Sequence, residues 1–170
     1  KLSPSLVNFF ITAGDIYEDA AHHNVVFVGR DADGHPRYAS CRGINEKFRQ
    51  DVAGAEKSFG FAHRGTDKHL LVFEAPIDLM SYLTLHRDTT NAVALCGLYD
   101  GALRTYLQAH PEIRRIALCL DADEPGQKAA QQLQEKYQLQ GYAVTVEKPR
   151  CGKDWNEYLQ RKICSRERGR

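Results

Sequence analysis

The hydrophobic pattern changes character about two-fifths of the way along the chain. In the first 66 residues the apolar stretches are short and mixed with polar ones. Ser3-Pro4 has the chemistry of an N-cap followed by proline at the first helical position, and Leu6, Phe9 and Phe10 supply one apolar face. A second short helix is predicted over 15–22. Residues 24–29 are rich in β-branched and aromatic side chains and read as a strand. Asp31-Ala32-Asp33-Gly34 is turn chemistry, and extended structure resumes over 37–40, which makes a β-hairpin. Residues 58–61 add a third expected strand. This part reads as a small α+β lobe.

Beyond it, continuous apolar runs alternate with helical periodicity. The runs are Leu70-Leu71-Val72-Phe73, then 92–96, 116–120 and 143–146; the helices between and after them are predicted over 76–86, 101–110, 125–139 and 155–163. Strands that are apolar at every position are covered on both faces. With a helix after each, they form a parallel sheet with right-handed crossovers. The expected fold class is α/β: a four-stranded parallel sheet flanked by helices, preceded by the small lobe. The expected division is a lobe over 1–66 and a sheet domain over 67–170. The arginines at 166, 168 and 170 read as a solvated end.

Composition narrows the partners only a little. The formal net charge is +1, so attraction to nucleic acid has to come from local patches. No apolar run approaches the roughly 20 residues of a membrane helix, and no signal-peptide pattern opens the chain. Five cysteines without a CxxC pair read as reduced thiols of a cytoplasmic protein. The same spacing argues against zinc, because His22-His23 is the one tight pair. The chain begins at Lys1 and its one methionine is Met80, as expected of a segment whose flanking domains lie elsewhere.

The informative positions are those immediately after each apolar run. In an open α/β sheet, ligands bind beyond the carboxyl ends of the strands. Glu74 succeeds the first run, Gly97 the second and Asp121-Ala122-Asp123 the third; Gly152-Lys153-Asp154 comes a few residues after the fourth. Three of the four strands thus deliver carboxylates to one rim. Gathered carboxylates repel one another, and a hard divalent cation relieves that repulsion while keeping charge for phosphate. Gly126 lets the backbone turn into the next helix, whose N-terminus favours anions. Taken singly, each acid has a plainer reading. Glu74 could open a helix before Pro76, Asp78 could sit in a first helical turn, and Asp121 and Asp123 could be N-caps. Trp155 reads as a core anchor.

The ordered set Val72-Phe73-Glu74-Ala75-Pro76-Ile77-Asp78, Ala94-Leu95-Cys96-Gly97 and Leu120-Asp121-Ala122-Asp123-Glu124-Pro125-Gly126 resembles the Toprim signature. That family is the catalytic domain of bacterial primases, topoisomerases and certain nucleases, and the likeness is closest to primase-like Toprim proteins of bacterial mobile genetic elements. It covers residues 68–160 well and the first lobe loosely. The resemblance implies that Glu74, Asp121 and Asp123 are the catalytic acids and hold Mg²⁺, or Mn²⁺ in its place, with Asp154 as a further ligand. It implies supporting roles for Asp78, Gly97, Gly126, Lys153 and Asn156. Where the family often has a second D-x-D, this chain has Asp154-Trp155-Asn156, which keeps an oxygen ligand but loses a charge. Arg37, Arg42 and Lys57 are the nucleic-acid-binding candidates of the first lobe.

The expected activity is Mg²⁺-dependent nucleotidyl or phosphoryl transfer on nucleic acid, with single-stranded DNA and nucleotides as partners. The same cradle would serve a nuclease. A non-catalytic single-strand-binding module of a DNA-transfer complex is the third expectation. An EF-hand starting at Asp121 fails because Pro125 and Gln132 fall at ligand positions, and no P-loop or dinucleotide fingerprint is present.

Overall fold

The computed structural model describes residues 1–44, 48–86 and 90–168, with side chains through Ser165. Helix α1 (Pro4–Thr12) is followed by strands β1 (Ile16–Glu18), β2 (Val25–Arg30), β3 (Pro36–Arg42) and β4 (Arg49–Asp51), which form an antiparallel sheet in that order. A second sheet contains β5 (Ala62–His63), β6 (His69–Phe73), β7 (Asn91–Ala94), β8 (Arg115–Leu118) and β9 (Ala143–Val146), in the order β5-β7-β6-β8-β9. Its helices are α2 (Pro76–His86), α3 (Gly101–Ala109), α4 (Glu124–Leu139) and α5 (Trp155–Arg168). The arginine side chains at 166, 168 and 170 lie outside the described residues.

Four strands of the second sheet, β7, β6, β8 and β9, are parallel, as the apolar runs require. Successive side chains of β6 go to opposite faces. Leu70 and Val72 join a core with Leu103, Ile116, Leu118, Leu133 and Tyr137 under α3 and α4. Leu71 and Phe73 join another with Leu79, Met80, Leu83 and Trp155 under α2 and α5. The first lobe enters that second core through Phe10, Ile16, Phe27 and Phe61.

Three details depart from the expectations. Residues 15–22 are not a helix. Gly14, at φ 73°, ends α1; Arg30 holds Asp15 at 2.6 Å, and β1 pairs with β2. The Asp19 carboxylate then closes a turn by accepting from the backbone N–H of Ala21 and His22. Residues 58–61 are not a strand, because they run between the two sheets at backbone contact. A Cβ on Gly29 would stand 2.2 Å from the Phe59 carbonyl oxygen, and one on Gly60 would stand 2.1 Å from that of Ala94. The chain turns extended one residue later, and β5 adds an antiparallel fifth strand beside β7. β4 was not anticipated either. It is three residues long and polar at each position, so it carries no hydrophobic signal.

Trp155 is 4 % exposed; its indole N–H donates to the Cys119 carbonyl at 3.0 Å and its ring meets Tyr82 edge-on at 4.7 Å. It fastens the start of α5 beneath the rim. Trp155→Phe loses the hydrogen bond and part of the packing, with an expected cost of about 2 kcal/mol in urea unfolding. An unchanged midpoint would show that α5 is held by other contacts.

Candidate metal and phosphate site

The chain runs from β6 to β7 on one side, then crosses back to β8 on the other. The crevice between the carboxyl ends of β6 and β8 is therefore the switch point of the sheet, where ligands of open α/β folds bind. Val72 is in register with Leu118, and Cys119 N–H donates to the Val72 carbonyl at 2.7 Å. Glu74 and Asp121 thus come after adjacent, rigidly paired strands. Gly97 N–H donates to the Glu74 carbonyl at 3.1 Å, which ties the end of β7 to the same place; Gly97 has φ 138° and Cys96 before it has φ 57°. Ala122 N–H donates to the Lys153 carbonyl at 2.7 Å, which brings in the loop before α5.

Five carboxylates converge there and feel one another. Asp121 is pushed up to about 7, first by burial and then by the charges of Asp78, Glu74, Asp154 and Asp123. Asp78, 4 % exposed, is also pushed up to about 7, by burial first and then by Asp154, although it accepts a hydrogen bond from the backbone N–H of Asn156 at 3.1 Å. Glu74 is raised by burial and by Asp123 and Asp154, against the pull of Arg49 and Lys153.

The acids differ in what else they do. Asp123 caps α4, accepting from Gly126 N–H at 2.9 Å, and Asp154 accepts from Glu157 N–H at 2.7 Å. The N-cap reading of Asp123 therefore holds, and each of these two acids uses one oxygen in this way; the other oxygen of Asp154 lies 3.8 Å from the Lys153 ammonium. Gly126 is required by close approach: a Cβ there would stand 2.4 Å from the Asp121 carbonyl oxygen. Asp121 Oδ1 is buried and has no hydrogen-bond partner. An ionised oxygen in that state is costly unless something positive meets it. The donor set, several carboxylate oxygens around one orphaned atom, fits a hard divalent cation that keeps part of its water. The rim acids are spread more widely than a closed metal cage. Among the described residues, the trio with ligand atoms all within 4.8 Å of one another is instead Asp31, Asp33 and His35. Those sit in the hairpin turn, where Asp31 accepts from the N–H of Asp33 and His35.

The basic residues sort differently from the sequence expectation. Arg37 is held by Glu56 at 2.6 Å and lies over the Phe59 ring; Lys57 is held by Asp51 at 2.7 Å. Arg42 stands near enough to Asp78 to lower its pKa. Arg49, not singled out in the sequence, is the direct cross-strand partner of Arg42. Two cations facing each other on one sheet repel. Both line a narrow crevice with Ala75, Pro76 and Cys96, next to the acids. No local signal marks Arg49, because its position is set by the pairing of β4 with β3. Lys153 is exposed and 3.8 Å from Asp154.

Residues 71–159 match the family described as Toprim-like. The chain belongs to the Toprim-like family. Residues 1–67 match a family described only as a protein of unknown function (DUF3991). An uncharacterized protein of Bacillus anthracis is 27 % identical over 95 % of this chain, and the chain spans about half of that relative, 54 % of its length. A chain of a bacteriophage T7 complex, in which the lagging-strand DNA polymerase interacts with primase domains of two gp4 subunits bound to an RNA/DNA hybrid and dTTP, superposes with TM-score 0.67. It is 22 % identical, over 98 % of this chain and 84 % of that one. The DnaG primase catalytic domain bound to ssDNA gives TM-score 0.60 at 18 % identity, over 98 % of this chain and 60 % of that one. These likenesses establish the fold: the Toprim domain with its leading lobe has the architecture of primase catalytic domains.

The Toprim rim should make stability depend on pH. Asp78 and Asp121 have folded values near 7, above the ordinary 3.8. Their contribution is therefore present at low pH and lost as pH rises through about 7. Asp78→Asn keeps the acceptor for Asn156 N–H and removes the charge. In EDTA near pH 8 the variant is expected to be more stable than the parent by roughly 1 kcal/mol or more, with the gap closing toward pH 5. Equal stability at both pH values would show that neither burial nor neighbouring charge penalises the ionised Asp78 carboxylate.

Proposed function

We propose that this chain is the catalytic part of a DNA-processing protein and carries out primase-like nucleotidyl transfer that depends on Mg²⁺ or Mn²⁺. The observation that carries the reading is the convergence of Glu74, Asp78, Asp121, Asp123 and Asp154 at the switch point, with Asp121 Oδ1 buried and unpartnered. In this reading Glu74, Asp121 and Asp123 hold the cation, with Asp154 beside them. A bound divalent ion polarises phosphate and lowers the pKa of an attacking hydroxyl. Asp78 holds the start of α5 in place through Asn156 N–H, and Gly97 and Gly126 let the loops close on the acids. Arg42 and Arg49 supply positive charge from the crevice side and Lys153 from the other. Arg37 and Lys57 reach a phosphate only by exchanging their carboxylate partners for it.

The substrate in this reading is single-stranded DNA with nucleotides, in keeping with the RNA/DNA hybrid, dTTP and ssDNA named for the structures of like fold. The boundary between lobe and Toprim domain is read at 66/67, close to the gap between the two family matches, which end at 67 and begin at 71. The parent protein is read as longer and as belonging to a bacterial mobile element. A reducing cytoplasm suits the free cysteines, and no helix among the described residues is long and apolar enough to cross a membrane.

The test is incubation with Mg²⁺, a labelled single strand and nucleotides, alongside Glu74→Gln and Asp121→Asn. Growing products are expected, with turnover lowered on the order of a hundredfold or more in each variant and melting unchanged or raised. Shortened strands would assign the cradle to a nuclease. Salt-dependent binding without turnover, indifferent to Mg²⁺, would assign it to a non-catalytic module.

A further inference from the structure

The loop that leaves the rim after β7 carries an aromatic side chain with no part in the core. Tyr99 is 52 % exposed, and its neighbour Leu98 is 37 % exposed. They lie one and two residues beyond Gly97, whose N–H is bonded to the Glu74 carbonyl. An exposed aromatic side chain ordinarily sweeps through its rotamers. This one is held at two points. Its ring lies against Gly101, where a Cβ would stand 2.3 Å from the ring, so glycine alone gives it a seat. Its hydroxyl accepts a hydrogen bond from the Arg104 guanidinium at 3.0 Å. The ring is thus fixed without being covered.

The charges beside it suit a polyanion. Arg104 is exposed in the first turn of α3. Asp100, the acid next to Tyr99, is held by Lys136 at 2.5 Å and by the Tyr137 hydroxyl at 2.9 Å, so the loop presents no unpaired carboxylate to an approaching phosphate. A fixed, half-open aromatic ring with a guanidinium at its edge is the arrangement that binds single strands without reading sequence. The base stacks on the ring and the cation meets the backbone. We propose that Tyr99 is a base-stacking platform on which single-stranded nucleic acid is laid as it reaches the acidic rim, with Arg104 as the phosphate contact. The inference rests on the proposed nucleic-acid function. It adds a substrate-contacting side chain to the acids of the rim.

The experiment measures binding of a labelled oligothymidylate, and of an abasic strand of the same length, to the whole chain in EDTA. Wild type is expected to prefer the strand that has bases. Tyr99→Leu keeps an apolar side chain but has no π-face. It is expected to weaken oligothymidylate binding about fivefold or more, the loss of one stacked base, and to leave the abasic strand unchanged. Tyr99→Phe should bind as wild type does. Arg104→Ala should weaken both strands and reduce the salt slope. Tyr99→Trp adds an indole whose emission falls when a base stacks on it, a readout available even where the leucine variant fails to fold. The proposal is overturned if Tyr99→Leu binds both strands as wild type does, if it weakens both equally, or if the emission of the tryptophan variant does not change on binding. Because no turnover is needed, stacking without catalysis would retain this inference and sink only the catalytic reading. Strand extension with Tyr99→Leu binding intact would do the reverse.

Discussion

The cost of burying several carboxylates together at the end of two paired strands, desolvation first and mutual repulsion second, is the constraint around which this domain is organised. Glu74 and Asp121 follow strands whose hydrogen-bonded register keeps their ends side by side, which limits how far the two acids can separate. The surrounding features offset that constraint in part. Asp123 and Asp154 each turn an oxygen into a helix N-terminus, where the backbone N–H groups stabilise negative charge. Arg42 and Arg49, mutually repulsive across β3 and β4, sit on the side of the first lobe that faces the acids. Two unfavourable groupings of like charge are thereby brought beside each other, and each lowers the cost of the other. One oxygen of Asp121 remains without a partner.

That organisation explains which parts were legible in the sequence. The four parallel strands and their helices were: β6, β7 and β8 are buried on both faces along nearly their whole length and read as continuous apolar runs, while β9, an edge strand with Ala143 and Thr145 exposed, was marked by its short β-rich run after a helix. Glu74, Asp121 and Asp123 were legible for a related reason: an acid just after such a run has left the core and stands at the sheet's carboxyl edge, whereas Asp78, inside α2, and Asp154, a loop beyond β9, carry no such signal. Gly126 was legible as a turn, and its function is closer than that, since the Asp121 carbonyl occupies the place of a side chain.

The first lobe was read less well, and the failures have a common cause. β1, β4 and β5 are two or three residues long, and no periodicity can be seen over so few positions. Their conformations are set from outside: β1 by pairing with β2, β4 by pairing with β3, and β5 by the free edge of β7. The basic residues suffered likewise. Arg37 and Lys57 looked available because their partners, Glu56 and Asp51, are placed by tertiary structure. Arg49 was overlooked because only the cross-strand register turns it toward the acids.

The aromatic residues Phe10, Phe27 and Phe61 join the first lobe to Leu71, Phe73 and Leu79 in one continuous interior. A joint of that kind cannot open like a jaw without wetting several phenyl rings. Two clefts lie between lobe and sheet, a roomy one lined by Asp15, Arg30, Arg64 and His110 and the narrow one lined by Arg42 and Arg49; with the joint shut, the width of each is set by its side chains and not by a hinge.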